Sequence, residues 1–155
     1  MTVDHLLNFE QHIDNLLASC NRSLFALKTM RQHGLPTSSL KLIFKATILT
    51  KLFYASPAWH GFISQSLINK LDVFLRRSAR FDYYDLDCES TDASSLLHLY
   101  DQKLFSSIEI NNKHVLFPLL PEKKITKYSL RPLGHGRVLP EKDNRYFINR
   151  MLYIS

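Results

Sequence analysis

Cysteine is scarce in this chain. Only Cys20 and Cys88 occur in 155 residues, with no Cys-x-x-Cys pair, so neither a disulfide framework nor a cysteine-based zinc site can be assembled from them. The histidines contain no His-x-x-x-His spacing, and no metal or cofactor is expected. Glycine is as sparse, at four residues, and neither a Gly-rich phosphate loop nor a Gly-x-Ser-x-Gly elbow is present. Long apolar runs are also missing: the longest uncharged stretch, Leu52 to Asn69, is broken by Pro57, His60 and Gly61 and makes a poor membrane span. Met1-Thr-Val-Asp4 lacks the basic start of a secretory signal. These absences predict a soluble, intracellular chain with no membrane partner, without separating nucleus from cytoplasm.

What the chain does have is positive charge and enough apolar residues for a core. Twenty Lys and Arg face fourteen Asp and Glu, for a net charge of +6, and 45% of residues are hydrophobic. The charge is segregated. Residues 1–81 carry ten basic and four acidic side chains, residues 82–101 carry none and six, and residues 102–155 carry ten and four. Such blocks fit either solvated helix faces or anion-binding surfaces, and the charges alone leave both readings open.

Hydrophobic spacing predicts an all-α fold, a bundle of about four helices followed by an extended Pro-rich tail. From Val3 to Met30, Leu6, Ile13, Leu17, Cys20, Leu24 and Leu27 share one side at about 100° per residue. Gly34 is placed to stop this helix, and Thr37, Ser38 and Ser39 to cap the next, giving an antiparallel hairpin. The second helix, Ser39 to about Ala55, is apolar almost all round and is expected in the middle of the bundle. Trp59, between Pro57 and Gly61, has a large ring to bury. A third helix runs from Ser64 or Ser66 to Arg80. An acidic connection, 82–95, leads to a fourth that begins near Thr91 or Asp92 and ends near Asn111. The division is then 1–110 helical domain and 111–155 extended tail, where four of the six prolines lie.

No catalytic constellation emerges. Cys20 belongs to a packed helix face, and His12 and His60 could serve as general bases in principle, but a helix-surface or helix-end histidine satisfied by hydrogen bonding is the commoner case. Phosphate binding is better supported, because it needs only cations on one face. Lys70, Arg76, Arg77 and Arg80 fall within a stripe of about 120° on the third helix. Lys41, Lys45 and Lys51 on the second helix extend the candidate nucleic-acid surface, and Tyr83 and Tyr84 are placed to stack on bases. A basic solvent face beside core aromatics fits the same residues.

Several segments resemble a known family. Leu7-Asn-Phe-Glu-Gln-His-Ile13, Lys51-Leu-Phe-Tyr-Ala-Ser-Pro-Ala-Trp-His-Gly61, Phe74-Leu-Arg-Arg77, His114-Val-Leu-Phe-Pro-Leu-Leu-Pro121, Leu130-Arg-Pro132 and Arg150-Met-Leu-Tyr153 are similar, in order and spacing, to the carboxy-terminal part of non-LTR, jockey-like retrotransposon reverse transcriptases. The resemblance covers nearly the whole chain. It implies a helical thumb and extension that hold an RNA template and DNA primer beside a palm-bearing polymerase region. It also implies a truncated element copy, a gene-model fragment or a domesticated remnant. The family's paired catalytic aspartates are missing, since no Asp-Asp or Asp-Glu pair occurs. Two-metal phosphoryl transfer needs such a pair, so the chain is not expected to act as an enzyme alone. The alternative is a helical protein-interaction remnant with no nucleic-acid binding.

Overall fold

Helix α1 (Glu10–Gln32) buries Ile13, Cys20, Leu24 and Leu27, the stripe that the spacing predicts. The computed structural model describes residues 9–84, 92–124 and 136–154. The predicted first turns of α1, residues 3–8 with Leu6, lie outside the described residues. So do 85–91 of the acidic connection, with Cys88, and the Leu130-Arg-Pro132 segment. Among the described residues the regular elements are helical, with one isolated antiparallel bridge between Lys123 and Arg137, and no helix is long and apolar enough to cross a membrane. The chain divides into two compact units, Met1–Leu97 and His98–Ser155.

In the first unit α1 ends as its glycine predicts. Gly34 takes φ +87°, its N–H donates to Arg31 O at 3.0 Å, and Leu35 N–H donates to Met30 O at 3.1 Å. This is a Schellman closure, which satisfies carbonyls left open at the helix end. Helix α2 (Thr37–Ile43) follows directly, with extended Pro36 at its cap position and no side-chain cap. Thr37, Ser38 and Ser39 therefore form the first turn and do not cap it. The chain continues through a π-helical turn, Phe44–Leu49, into α3 (Thr50–Leu52).

The second helix is not buried all round, a correction to its apolar composition. Leu40, Phe44, Ile48 and Leu52 are buried, while Leu42 and Tyr54 are exposed. These four positions are spaced by four residues, which in a pure α-helix would overshoot by about 40° per step. The looser π turn advances less per residue and keeps them in line. The Thr47 and Thr50 hydroxyls donate to Ile43 O and Ala46 O, each at 2.6 Å, which occupies carbonyls around the altered turn. The segment runs antiparallel to α1: Lys51 Nζ reaches Ser19 Oγ at 2.6 Å, far from the Gly34 turn.

Ala55 takes left-handed φ 52° and starts α4 (Ser56–Trp59), which continues as a 3-10 turn, His60–Phe62. Trp59 is fully buried, and its Nε1 donates to Tyr54 O at 3.2 Å. The His12 ring lies edge-on to Trp59 and Phe9, at 6.3 and 6.4 Å. Helix α5 (Gln65–Arg80) then buries Leu67, Ile68, Leu71, Phe74, Leu75 and Ser78. It ends in a second Schellman closure, with Asp82 at φ 57°, Asp82 N–H on Ala79 O at 2.8 Å and Tyr83 N–H on Ser78 O at 3.1 Å. Helix α6 (Ala93–Ile110) starts one residue past the predicted Asp92 and is tied to α5 by Ala93 N–H donating to Asp72 Oδ1 at 2.5 Å.

The second unit has its own core of Phe105, Met151 and Leu152, packed by Leu120, Leu139, Phe147 and Ile148. Residues 111–124 and 136–146 are non-helical except for a 3-10 turn, Phe117–Leu119, but Phe147–Ile154 form helix α7. An extended tail therefore does not describe its last residues. Arg150 is buried on buried Asp101, with Nη2 and Nε at 2.9 and 3.2 Å from Oδ2, and its Nη1 donates to Asn144 O and Arg145 O. A guanidinium can serve all these acceptors because its donors are fixed in a fork.

Two backbone positions give stability tests of opposite sign. No atom lies within 4 Å of a β-carbon built on Gly34, so Gly34→Ala should lose about 1 kcal/mol through left-handed strain alone, read by chemical denaturation. Ala55→Gly should be neutral or stabilising, and a loss comparable to that of Gly34→Ala would contradict the left-handed assignment. Arg150→Met should cost about 3–5 kcal/mol, as expected when one partner of a buried pair is removed. Arg150→Lys should recover only part of it, because one ammonium cannot reach Asp101 and both carbonyls.

Candidate nucleic-acid interface

Helices α1 and α5 run parallel, and their polar seam sets the cationic surface. Lys70 Nζ donates to Asp14 Oδ1 at 2.8 Å, and Arg77 Nη2 donates to Asn21 Oδ1. Both pairs join residues 56 apart in sequence, so the two helices keep one register over two turns. The hydrogen bond to Asp14, followed by the attraction of its charge and that of Glu10, raises the Lys70 pKa.

Lys70, Arg76, Arg77 and Arg80 are all exposed on α5, with Val73 exposed among them. The single acidic residue of α5, Asp72, is turned to the start of α6. Among the described residues Arg76 and Arg80 have no carboxylate partner, and Arg77 bonds an amide rather than an acid. The Arg77 guanidinium also lies 5.8 Å from the Phe74 ring centroid. Arg77 and Arg80 stand in the last turn of α5, where cations are favoured by the helix dipole.

The three lysines of the second helix do not join this surface as a group. Lys41 is half-buried and pairs with Asp82 at 2.9 Å, fastening the last turn of α2 to the turn that follows α5. Lys45 is exposed and has no ion pair among the described residues. Lys51 is bonded to Ser19, which stands roughly 140–160° around α1 from Asp14 and Asn21 at 100° per residue. It therefore lies on the other flank of α1 from Lys70 and Arg77.

Tyr83 and Tyr84 are not available to stack on bases. They are 3% and 8% exposed. Tyr84 packs 5.7 Å from Phe44, and Tyr83 lies under the Arg31 guanidinium, 4.2 Å from its ring centroid. Phe25 and Phe81, by contrast, are exposed, at 71% and 54%. They line a groove of about 450 Å³ at the C-terminal ends of α1 and α5, together with Lys28, Arg31 and Arg77. Sequence reasoning passed over these residues. The signal for them was two aromatic side chains standing off the buried stripes of their helices.

Cys20 sits within the fold, and burial pushes its thiol up to about 11, opposed by the positive charge of Lys51. The His12 imidazole is held below its ordinary value chiefly by burial. Neither arrangement supplies a nucleophile with a base beside it. No protein-family model matches the chain, and searches of curated proteins and of solved structures find no match either.

The raised Cys20 pKa fixes a sign for alkaline stability. Between the ordinary value of 9.0 and about 11 the folded state holds a proton that the unfolded state releases, so stability should fall as pH rises through that window. Denaturation midpoints measured from pH 8 to 11 should show a steeper decline for the parent than for Cys20→Ala. Equal slopes would contradict the burial of the thiol.

Proposed function

We propose that the chain is a thumb-like, sequence-tolerant nucleic-acid clamp, a fragment similar to the carboxy-terminal region of a non-LTR retrotransposon RNA-directed DNA polymerase. In this reading residues 1–110 are the thumb-like part, and the bound partner is an RNA template paired with a DNA primer. A palm-bearing region elsewhere supplies the paired carboxylates for two-metal chemistry, so the chain does not polymerise alone.

The observation that carries the reading is the state of α5. Arg76, Arg77 and Arg80 are exposed on one helix face with no carboxylate partner among the described residues. Guanidinium groups suit phosphate oxygens, and cations arrayed along a helix follow a strand without reading its sequence. Lys45 and Lys70 add positive charge, and Lys70 exchanges an exposed carboxylate for a phosphate at little loss, since surface ion pairs are weak.

A second reading, a helical protein-interaction remnant, is favoured by the exposed Leu42 and Tyr54. Recovery of a stoichiometric protein partner after nuclease treatment, with no affinity for nucleic acid, would establish it.

The clamp is tested by the salt dependence of duplex binding. Affinity for a primer-template duplex should fall steeply as salt rises. The combined change Arg76→Ala, Arg77→Ala and Arg80→Ala should weaken binding and reduce the slope of log K against log salt by about 3, roughly one for each phosphate no longer neutralised. Binding that is undetectable or insensitive to salt would overturn the reading.

A further inference from the structure

We propose that the groove at the C-terminal ends of α1 and α5 seats one unpaired nucleotide of a bound strand. Its base lies against Phe25 and Phe81, and its phosphate faces Lys28, Arg31 and Arg77. The inference rests on the nucleic-acid clamp and adds to it a preference for a strand with an unpaired end.

The groove has the size of a small-ligand site, about 450 Å³. Its two exposed aromatic rings belong to neither helix's buried stripe, and large apolar surface left at a cleft marks a place where something else is buried. Its lining carries three cations and no carboxylate, so the missing partner is anionic as well as flat and apolar.

Arg31 gives an independent indication. Its Nε and Nη2 are closed off from solvent and have no hydrogen-bond partner, while the group stacks on Tyr83. Two guanidinium nitrogens withdrawn from water without an acceptor are unfavourable, and a partly desolvated cation attracts a nearby anion more strongly than a fully hydrated one does. An uncharged apolar helix laid in the groove would leave that charge uncompensated. A fully paired duplex hides the faces of its bases. An unpaired nucleotide offers both a ring face for the phenylalanines and a phosphate for the cations, the combination used by proteins that hold single strands.

The test compares the full chain binding a blunt duplex with the same duplex bearing a short unpaired overhang, by fluorescence anisotropy. The overhang should bind about tenfold more tightly, the scale of one base stacked on an aromatic side chain. Phe25→Ala and Phe81→Ala, made singly, should each reduce that preference strongly while leaving blunt-duplex affinity and its salt slope unchanged. Phe25→Leu keeps apolar area without a ring and should lose it too. Both phenylalanines are exposed, so helical circular dichroism and Trp59 emission should not change. Equal binding of the two duplexes, or a preference that survives the substitutions, overturns the inference and leaves the clamp standing. No binding to either duplex overturns both. Tighter binding of an acidic, aromatic-containing peptide than of the overhang overturns the inference in favour of a protein ligand.

Discussion

The parallel register of α1 and α5 is the constraint on which the first unit depends. Two helices joined by a short turn pack antiparallel, as α1 and α2 do. A third helix that follows after the excursion through Trp59 is then free to lie alongside the first in the same direction. Asp14 on Lys70 and Asn21 on Arg77 hold that alignment at a constant offset of 56 residues, while Leu24 and Leu27 of α1 and Leu71 and Leu75 of α5 are buried. Because the helices are parallel, both finish at the same end of the unit. Both finish in Schellman closures, and the groove between Phe25 and Phe81 is bounded by those endings.

The same register separates the charges. Most of the described carboxylates of the first unit have definite work: Asp14 meets Lys70, Asp82 meets Lys41, Asp72 receives Ala93 N–H, and Asp92 receives the Ser95 hydroxyl. With its acids engaged elsewhere, α5 shows solvent a face of arginines. A merely solvated helix face more often alternates its charges, which limits self-repulsion. Concentrated positive charge is instead stabilised by a polyanion, and its attraction is long-ranged enough to steer a strand onto the surface.

Much of the fold was legible in the sequence because helix ends are written locally. Gly34 announced the close of α1, Arg80 the end of α5 and Asp92 the start of α6, each through backbone chemistry that a few neighbours decide. Other features were settled by packing. The second helix is apolar nearly all round in composition, yet its π turn lines up Leu40, Phe44, Ile48 and Leu52 inward and leaves Leu42 and Tyr54 exposed, and hydrophobicity does not reveal which face a neighbour will cover. Tyr83 and Tyr84 looked like stacking residues because they follow a basic stripe, but a left-handed Asp82 turns the chain back and buries both. The α7 segment was hidden by its proline-rich approach, although Met151 and Leu152 form part of a core. Of the seven candidate cations, the α5 four share a face as the wheel requires. Lys41 and Lys51 were drawn aside by Asp82 and Ser19, pairings between residues far apart in sequence that no periodicity encodes.

In the second unit Arg150 is structural, satisfied by Asp101 and two carbonyls, and it marks the contrast with the arginines of α5. That contrast gives the most direct measurement: arginine-selective modification by phenylglyoxal, with sites read by mass spectrometry, in the presence and absence of a primer-template duplex. The account predicts that Arg76, Arg77 and Arg80 react in the chain alone and are protected by the duplex, while Arg150 stays unreactive in both. Arg76 and Arg80 reacting equally with and without the duplex, or not reacting at all, would contradict it.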